Sequence, residues 1–185
     1  MIRIATIAAL VLTVAAASAQ QHQPYAGLQQ RPVKALSDRE IADLRAGRGM
    51  GFALPAELNG YPGPVHVLEQ AEALQLSAKQ RERTRALYDA MKAETIPLGE
   101  RLIAQEAALD HAFANRSITT QTLTEATSAI GTTRAALRAA HLRYHLAQVE
   151  VLSPEQISRY NELRGYAGNA QNLQNGHRPG GHHAK

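Results

Sequence analysis

Eight histidines and no cysteine limit the metal chemistry open to this 185-residue chain to imidazole, carboxylate and thioether donors. His141 and His145 stand four residues apart, so on a helix both imidazoles share one face about a turn apart. Neutral imidazoles so placed suit Zn²⁺, Cu²⁺, Ni²⁺ or Co²⁺. His66 is the third candidate ligand: if its short helix folds back onto the end of a long hairpin, it approaches the pair, with Glu69 the nearest fourth donor. The competing reading of His66 and His141 is that of hydrogen-bonded residues at the margin of an apolar seam. His111 has no partner at helical spacing and reads as a surface residue. His177, His182 and His183 lie in a tail where they either bind a metal loosely or only add polarity.

Catalytic signatures are lacking. The His141 to His145 spacing is that of zinc hydrolases, but Leu142 stands where their general-base glutamate would be. Gly47-Arg48-Gly49-Met50-Gly51 has neither the preceding strand nor the Lys-Ser/Thr of a phosphate loop, and reads as a flexible hinge. The chain is expected not to be an enzyme, and no motif requires a cofactor.

The elements that would position these histidines are helical. Alanine is plentiful and runs of Val, Ile and Thr are missing, which favours an all-α protein. Leu152-Ser153-Pro154-Glu155-Gln156 reads as a helix stop followed by a helix start. Ser153 caps, Pro154 fits the first turn, and Gln156 closes a capping box. The same word occurs as Leu76-Ser77-Ala78-Lys79-Gln80, and a third version begins at Leu36-Ser37.

Between the two later words lies a pattern of Tyr88, Met91, Thr95, Leu98, Leu102, Leu109 and Phe113, which predicts a helix from Ser77 to about Asn115 with a kink near Ala93 caused by Pro97. A helix capped by Thr119 or Thr120 returns to Val151, with Leu123, Ala126, Ile130, Leu137, His141 and Tyr144 on its inner seam. A helix from Pro64 to about Gln75 precedes this hairpin and one from Pro154 follows it. The expected order is short, long, long, short. Such a hairpin, braced only at one end, exposes apolar surface, so a homodimer is expected, with a compact monomeric four-helix bundle as the alternative.

The flanks read differently. Arg3, the apolar run from Ile4 to Ala17 and Ala17-Ser18-Ala19 form a secretory signal over 1–19, with cleavage after Ala19. Residues 20–35 read as a mobile leader, and 36–63 as an extension with a short helix from Ser37 to Ala46 and a helical turn at Leu54 to Leu58. The main domain spans 64–166, and 167–185 is a Gly, Asn and His-rich tail expected to be disordered. Without Arg3 the chain keeps 19 Lys and Arg against 16 Asp and Glu, a net charge of +3. That excess is too diffuse for nucleic acid, and no later segment is apolar enough to hold the mature chain in a membrane.

Two Leu-Ser-x-x-Gln words, at Leu76, Ser77 and Gln80 and at Leu152, Ser153 and Gln156, separated by a helical hairpin behind a secretion signal, resemble the LTxxQ-motif periplasmic family over residues 64–166. That family includes the Spy and CpxP chaperones and the heavy-metal sensors ZraP and CnrX. The resemblance implies a thin cradle of two antiparallel protomers that binds unfolding envelope proteins without ATP in a stress response. Its alternative implication is a periplasmic metal sensor or metal-binding protein, working with a membrane sensor kinase or an anti-sigma factor. In the CnrX-like branch the metal is held by His-x-x-x-His on the first family helix and by a His plus a thioether on the third. This chain has His66 but Gln70 four residues on, and its third-helix pair, His141 and His145, sits about a turn earlier than a strict match requires.

Overall fold

The computed structural model describes residues 24–166, so the predicted signal, the first residues of the leader and the tail histidines lie outside the described residues. Six α-helices and one short 3-10 turn make up the fold, with no strand among the described residues. In chain order they are α1 (Asp38–Arg45), α2 (Leu54–Glu57), α3 (Pro64–Glu69), α4 (Ala78–Ala114), α5 (Thr120–Val149) and α6 (Pro154–Leu163).

Local chemistry sets most of these boundaries. Ser37, Ser77, Thr119 and Ser153 each accept from the backbone N–H three residues on, and Glu40, Gln80, Thr122 and Gln156 return the bond, so four capping boxes start α1, α4, α5 and α6. Arg116 at φ 54° turns the chain between the long helices. α4 runs through Pro97 as one helix, and the Thr95 hydroxyl donates to the Met91 carbonyl at 2.8 Å just before it.

α4 and α5 pack along each other as the antiparallel hairpin the sequence predicts. Arg143 binds Glu94 at 2.8 Å and Arg134 binds the buried Glu106 at 2.8 Å across the pair. At the base of the hairpin, far from its turn, Gln148 Nε2 donates to the Thr84 hydroxyl at 3.1 Å, and neither residue reaches solvent.

Two corrections to the expected seam follow. Phe113 and Leu123 are 53% and 37% exposed, so the packed seam stops short of the hairpin tip and the side chains beyond it lack a third layer. α3 ends at Glu69 instead of near Gln75, because the chain turns back through Gln75 at φ 50° to bury Leu74 and Leu76.

The extension over 36–63 supplies the missing brace. Its Leu36 and Leu44, together with Val33 from the segment expected to be a mobile leader, join Leu102, Ile103, Ile130 and Leu137 in one apolar cluster. α1 lies so close to α4 that a Cβ on Gly99 would stand 2.5 Å from the Leu44 carbonyl oxygen. A second cluster, of Val67, Ala71, Leu74, Leu76, Leu152 and Tyr160, joins α3 and α6 at the hairpin's base. Along α5, His141 and His145 fall between Leu137 of the first cluster and Leu152 of the second.

Candidate functional site

The site grows from α5, whose helical period turns Leu137, Ala140, His141, His145 and Gln148 inward. His141 is 2% exposed and stacks on Phe52, with ring centroids 6.2 Å apart and planes 8° from parallel. Its Nε2 is buried without a hydrogen-bond partner. Burial, and then the neighbouring His145, push its pKa down to about 4, so the ring is neutral at ordinary pH.

His145 is held from the other side. Its Nδ1 lies 2.6 Å from the Tyr61 carbonyl oxygen, which only accepts, so Nδ1 is the donor and Nε2 is the ring nitrogen left for another partner. Gly63 permits this: a Cβ there would stand 2.8 Å from Cε1 of the ring. Gly49 does the same for His141, where a Cβ would meet Nδ1 at 3.3 Å. The strap from Gly49 to Gly63 thus lies over both imidazoles.

Beside them sits Glu57, a carboxylate 7% exposed at the end of α2. Its Oε1 accepts from the Tyr160 hydroxyl at 2.5 Å and the Tyr166 hydroxyl at 3.2 Å, and pairs with Arg164 Nε at 3.3 Å. Its Oε2 lies 3.9 Å from His145 Nδ1 and has no hydrogen-bond partner. Burial and then the carboxylate push the Tyr160 phenol up, so Tyr160 stays a donor.

His66 stands at the mouth of the same cavity, of about 210 Å³, that His141, His145, Glu57, Met50 and Met91 line. Its Nδ1 donates to Glu69 at 2.8 Å, which leaves Nε2 as its free nitrogen. Glu69, expected as a fourth donor, therefore supports His66, and it lines a neighbouring groove of about 500 Å³ that shares Met50, His66 and Met91 with the cavity. The three predicted histidines share one cavity, yet among the described residues no three His, Asp or Glu side chains stand close enough to form a ready-made cation site.

The second predicted set, Leu76, Ser77, Gln80, Leu152, Ser153 and Gln156, forms junctions that also clasp each other. Gln80 Nε2 donates to the Val151 carbonyl at 2.9 Å, and Gln156 Nε2 donates to the Leu74 carbonyl at 3.1 Å. The two amides meet between them, and Leu76 and Leu152 are buried in the same cluster.

Sequence reasoning left Phe52, Glu57, Tyr61 and the glycines of the strap without a role. Their signal was faint: a Gly-rich segment that reads equally well as a hinge, and one Glu in a single helical turn. A protein-family model described as heavy-metal resistance matches residues 49–159, which begins at the first residue of the strap and takes in every residue of the histidine pair's surroundings except Tyr160, Arg164 and Tyr166. No curated protein and no solved structure matches the chain.

Proposed function

The chain belongs to the heavy-metal resistance family, the LTxxQ group it resembles in its two motifs, and from this premise we propose that it is a periplasmic metal-responsive protein that binds a transition-metal ion at His141 and His145. One observation carries the reading: the buried, neutral His141 imidazole has an Nε2 with no partner. A buried polar atom left unpaired costs free energy, about 1–3 kcal/mol, unless something occupies it. The donor set fits a metal, since His145 has its proton fixed on Nδ1 by Tyr61 and His66 has its own fixed by Glu69, leaving Nε2 of each ring as the ligand atom. A bound ion would supply charge and directional bonds on α5 directly beneath the strap. The chain acts by binding, not by catalysis, and a sensor kinase or anti-sigma factor is the partner that would read the strap's position.

Among the described residues no helix is long and apolar enough to cross a membrane. The test is titration calorimetry of the mature chain carrying alanine at His22, His177, His182 and His183. At about pH 7.5, above the ordinary imidazole pKa, Zn²⁺ should bind at one site per chain, and His141→Ala/His145→Ala should abolish it. Affinity no tighter than about 100 μM in the parent would defeat the reading.

The exposed tip favours a second role. Phe113 and Leu123, 53% and 37% exposed, give an apolar patch suited to a homodimer partner or to an unfolding client. On this reading the protein suppresses aggregation without ATP at near-stoichiometric ratio, and Phe113→Ser/Leu123→Ser weakens that protection. Equal protection by the double variant would remove the tip from the function.

A further inference from the structure

The chain contains three methionines, Met1, Met50 and Met91, and no cysteine. Both internal methionines line the cavity that holds His141 and His145. Met91 is 5% exposed on α4, the helix that packs along the histidine-bearing α5. Met50 comes from the strap with φ 43°, a left-handed conformation that favours Gly or Asn and costs a long apolar side chain about 1 kcal/mol. Core packing does not explain that choice, since Met50 is 37% exposed. Among the described residues no three His, Asp or Glu side chains converge, and the two thioethers are the further uncharged donors that this cavity offers beside its imidazoles.

Thioethers are soft, uncharged ligands that compete poorly for Zn²⁺ or Ni²⁺ and well for Cu⁺. Deepening the metal-binding reading above, on which it rests, we propose that the site selects a soft monovalent cation of the Cu⁺ and Ag⁺ class, held by the imidazoles of His141 and His145 and the thioether of Met91. Met50 closes the site from the strap. Neutral donors suit a singly charged ion in a buried place, because no second formal charge is left to be desolvated. Glu57 is already committed to Tyr160, Tyr166 and Arg164 and stays outside the ligand set.

The experiment uses the mature chain with His22, His177, His182 and His183 replaced by alanine, labelled with ¹³C at the methionine methyls, and Ag⁺ as a redox-inert probe. Met50→Leu and Met91→Leu assign the two signals and keep the side-chain volume, so folding is checked by an unchanged metal-free melting point. One equivalent of Ag⁺ should shift both methyl resonances, and Met91→Leu should weaken Ag⁺ about tenfold or more while Zn²⁺ affinity stays within about twofold. Methyl signals that ignore Ag⁺ while Zn²⁺ still shifts the His141 ring protons would overturn the soft-metal selectivity and leave the metal-binding reading standing. If neither ion moves the His141 ring protons, both fall.

Discussion

Gln80 and Gln156 hold each other by their side-chain amides: Gln80 Nε2 donates to Gln156 Oε1 at 2.7 Å, and Gln156 Nε2 donates back to Gln80 Oε1 at 3.2 Å. Each amide oxygen also accepts from the backbone N–H of its own cap, Ser77 or Ser153. The last residue of each Leu-Ser-x-x-Gln word therefore starts a helix and locks it to the other word.

Loss of the clasp should exceed loss of a cap. Ser77→Ala and Ser153→Ala should each cost about 1 kcal/mol. Gln156→Ala removes the cap return, the Leu74 bond and both bonds of the amide pair, and should cost roughly 4 kcal/mol at about 1 kcal/mol per bond. Denaturant unfolding of Gln80→Ala, Gln156→Ala and the double variant should show a coupling of about 1 kcal/mol. Strictly additive losses would mean the amides do not act as a pair.

Two helical glycines should respond to alanine with opposite signs. Gly131 has open space around a Cβ, so Gly131→Ala should stabilise by about 0.5–1 kcal/mol through helix propensity. Gly99→Ala drives a methyl into the Leu44 backbone and should destabilise by roughly 1–3 kcal/mol despite the same propensity gain. Melting temperatures that moved together would refute the close approach of α1 to α4.

His141 should make the protein sensitive to mild acid. Its folded pKa is about 4 against an ordinary 6.5, so the unfolded chain takes up a proton that the native ring refuses. The resulting stability is fully present above about pH 6.5 and is lost as pH falls towards about 4, by about 3 kcal/mol in all. Unfolding curves across that window should show this slope in the parent and not in His141→Leu, which keeps an apolar contact with Phe52 and cannot titrate. Parallel pH profiles would argue that the ring is solvated.

Tyr160→Phe should cost roughly 1.5–3 kcal/mol, the worth of a hydrogen bond to a buried carboxylate. Glu57→Ala should cost more, because it strands the Tyr160 hydroxyl and unpairs Arg164 inside the fold. Equal unfolding midpoints for Glu57→Ala and the parent would show that solvent already reaches the carboxylate.

The helices were legible because their signals are local. Ser77 and Ser153 announce α4 and α6 within four residues, and the period of α5 puts His141 and His145 on one face without knowledge of the rest. Phe113 and Leu123 fit the same period yet stay exposed, because periodicity says which face is apolar and not how far a partner extends along it. The cover of the site was illegible for a different reason. Tyr61 reaches His145 through a backbone carbonyl, and Gly49 and Gly63 contribute by the side chain they lack. Nothing in residue type marks such contacts before the chain is folded. The same holds for Glu57, whose partners lie beyond the hairpin.

The bond from Tyr160 to Glu57 joins residues 103 positions apart, across the whole hairpin. α2 has only four residues and no side-chain cap, so it has little reason to persist as a helix alone. It packs against α5, and its Glu57 is tied to α6, which is anchored by its own capping box and by the Gln80 clasp. The early strap and the last helix should consequently open as one cooperative unit, with amide hydrogens in 54–63 and 154–163 exchanging at a common free energy below that of the α4 and α5 core. A lesion near the end of the chain would then be felt first as solvent arriving at His145.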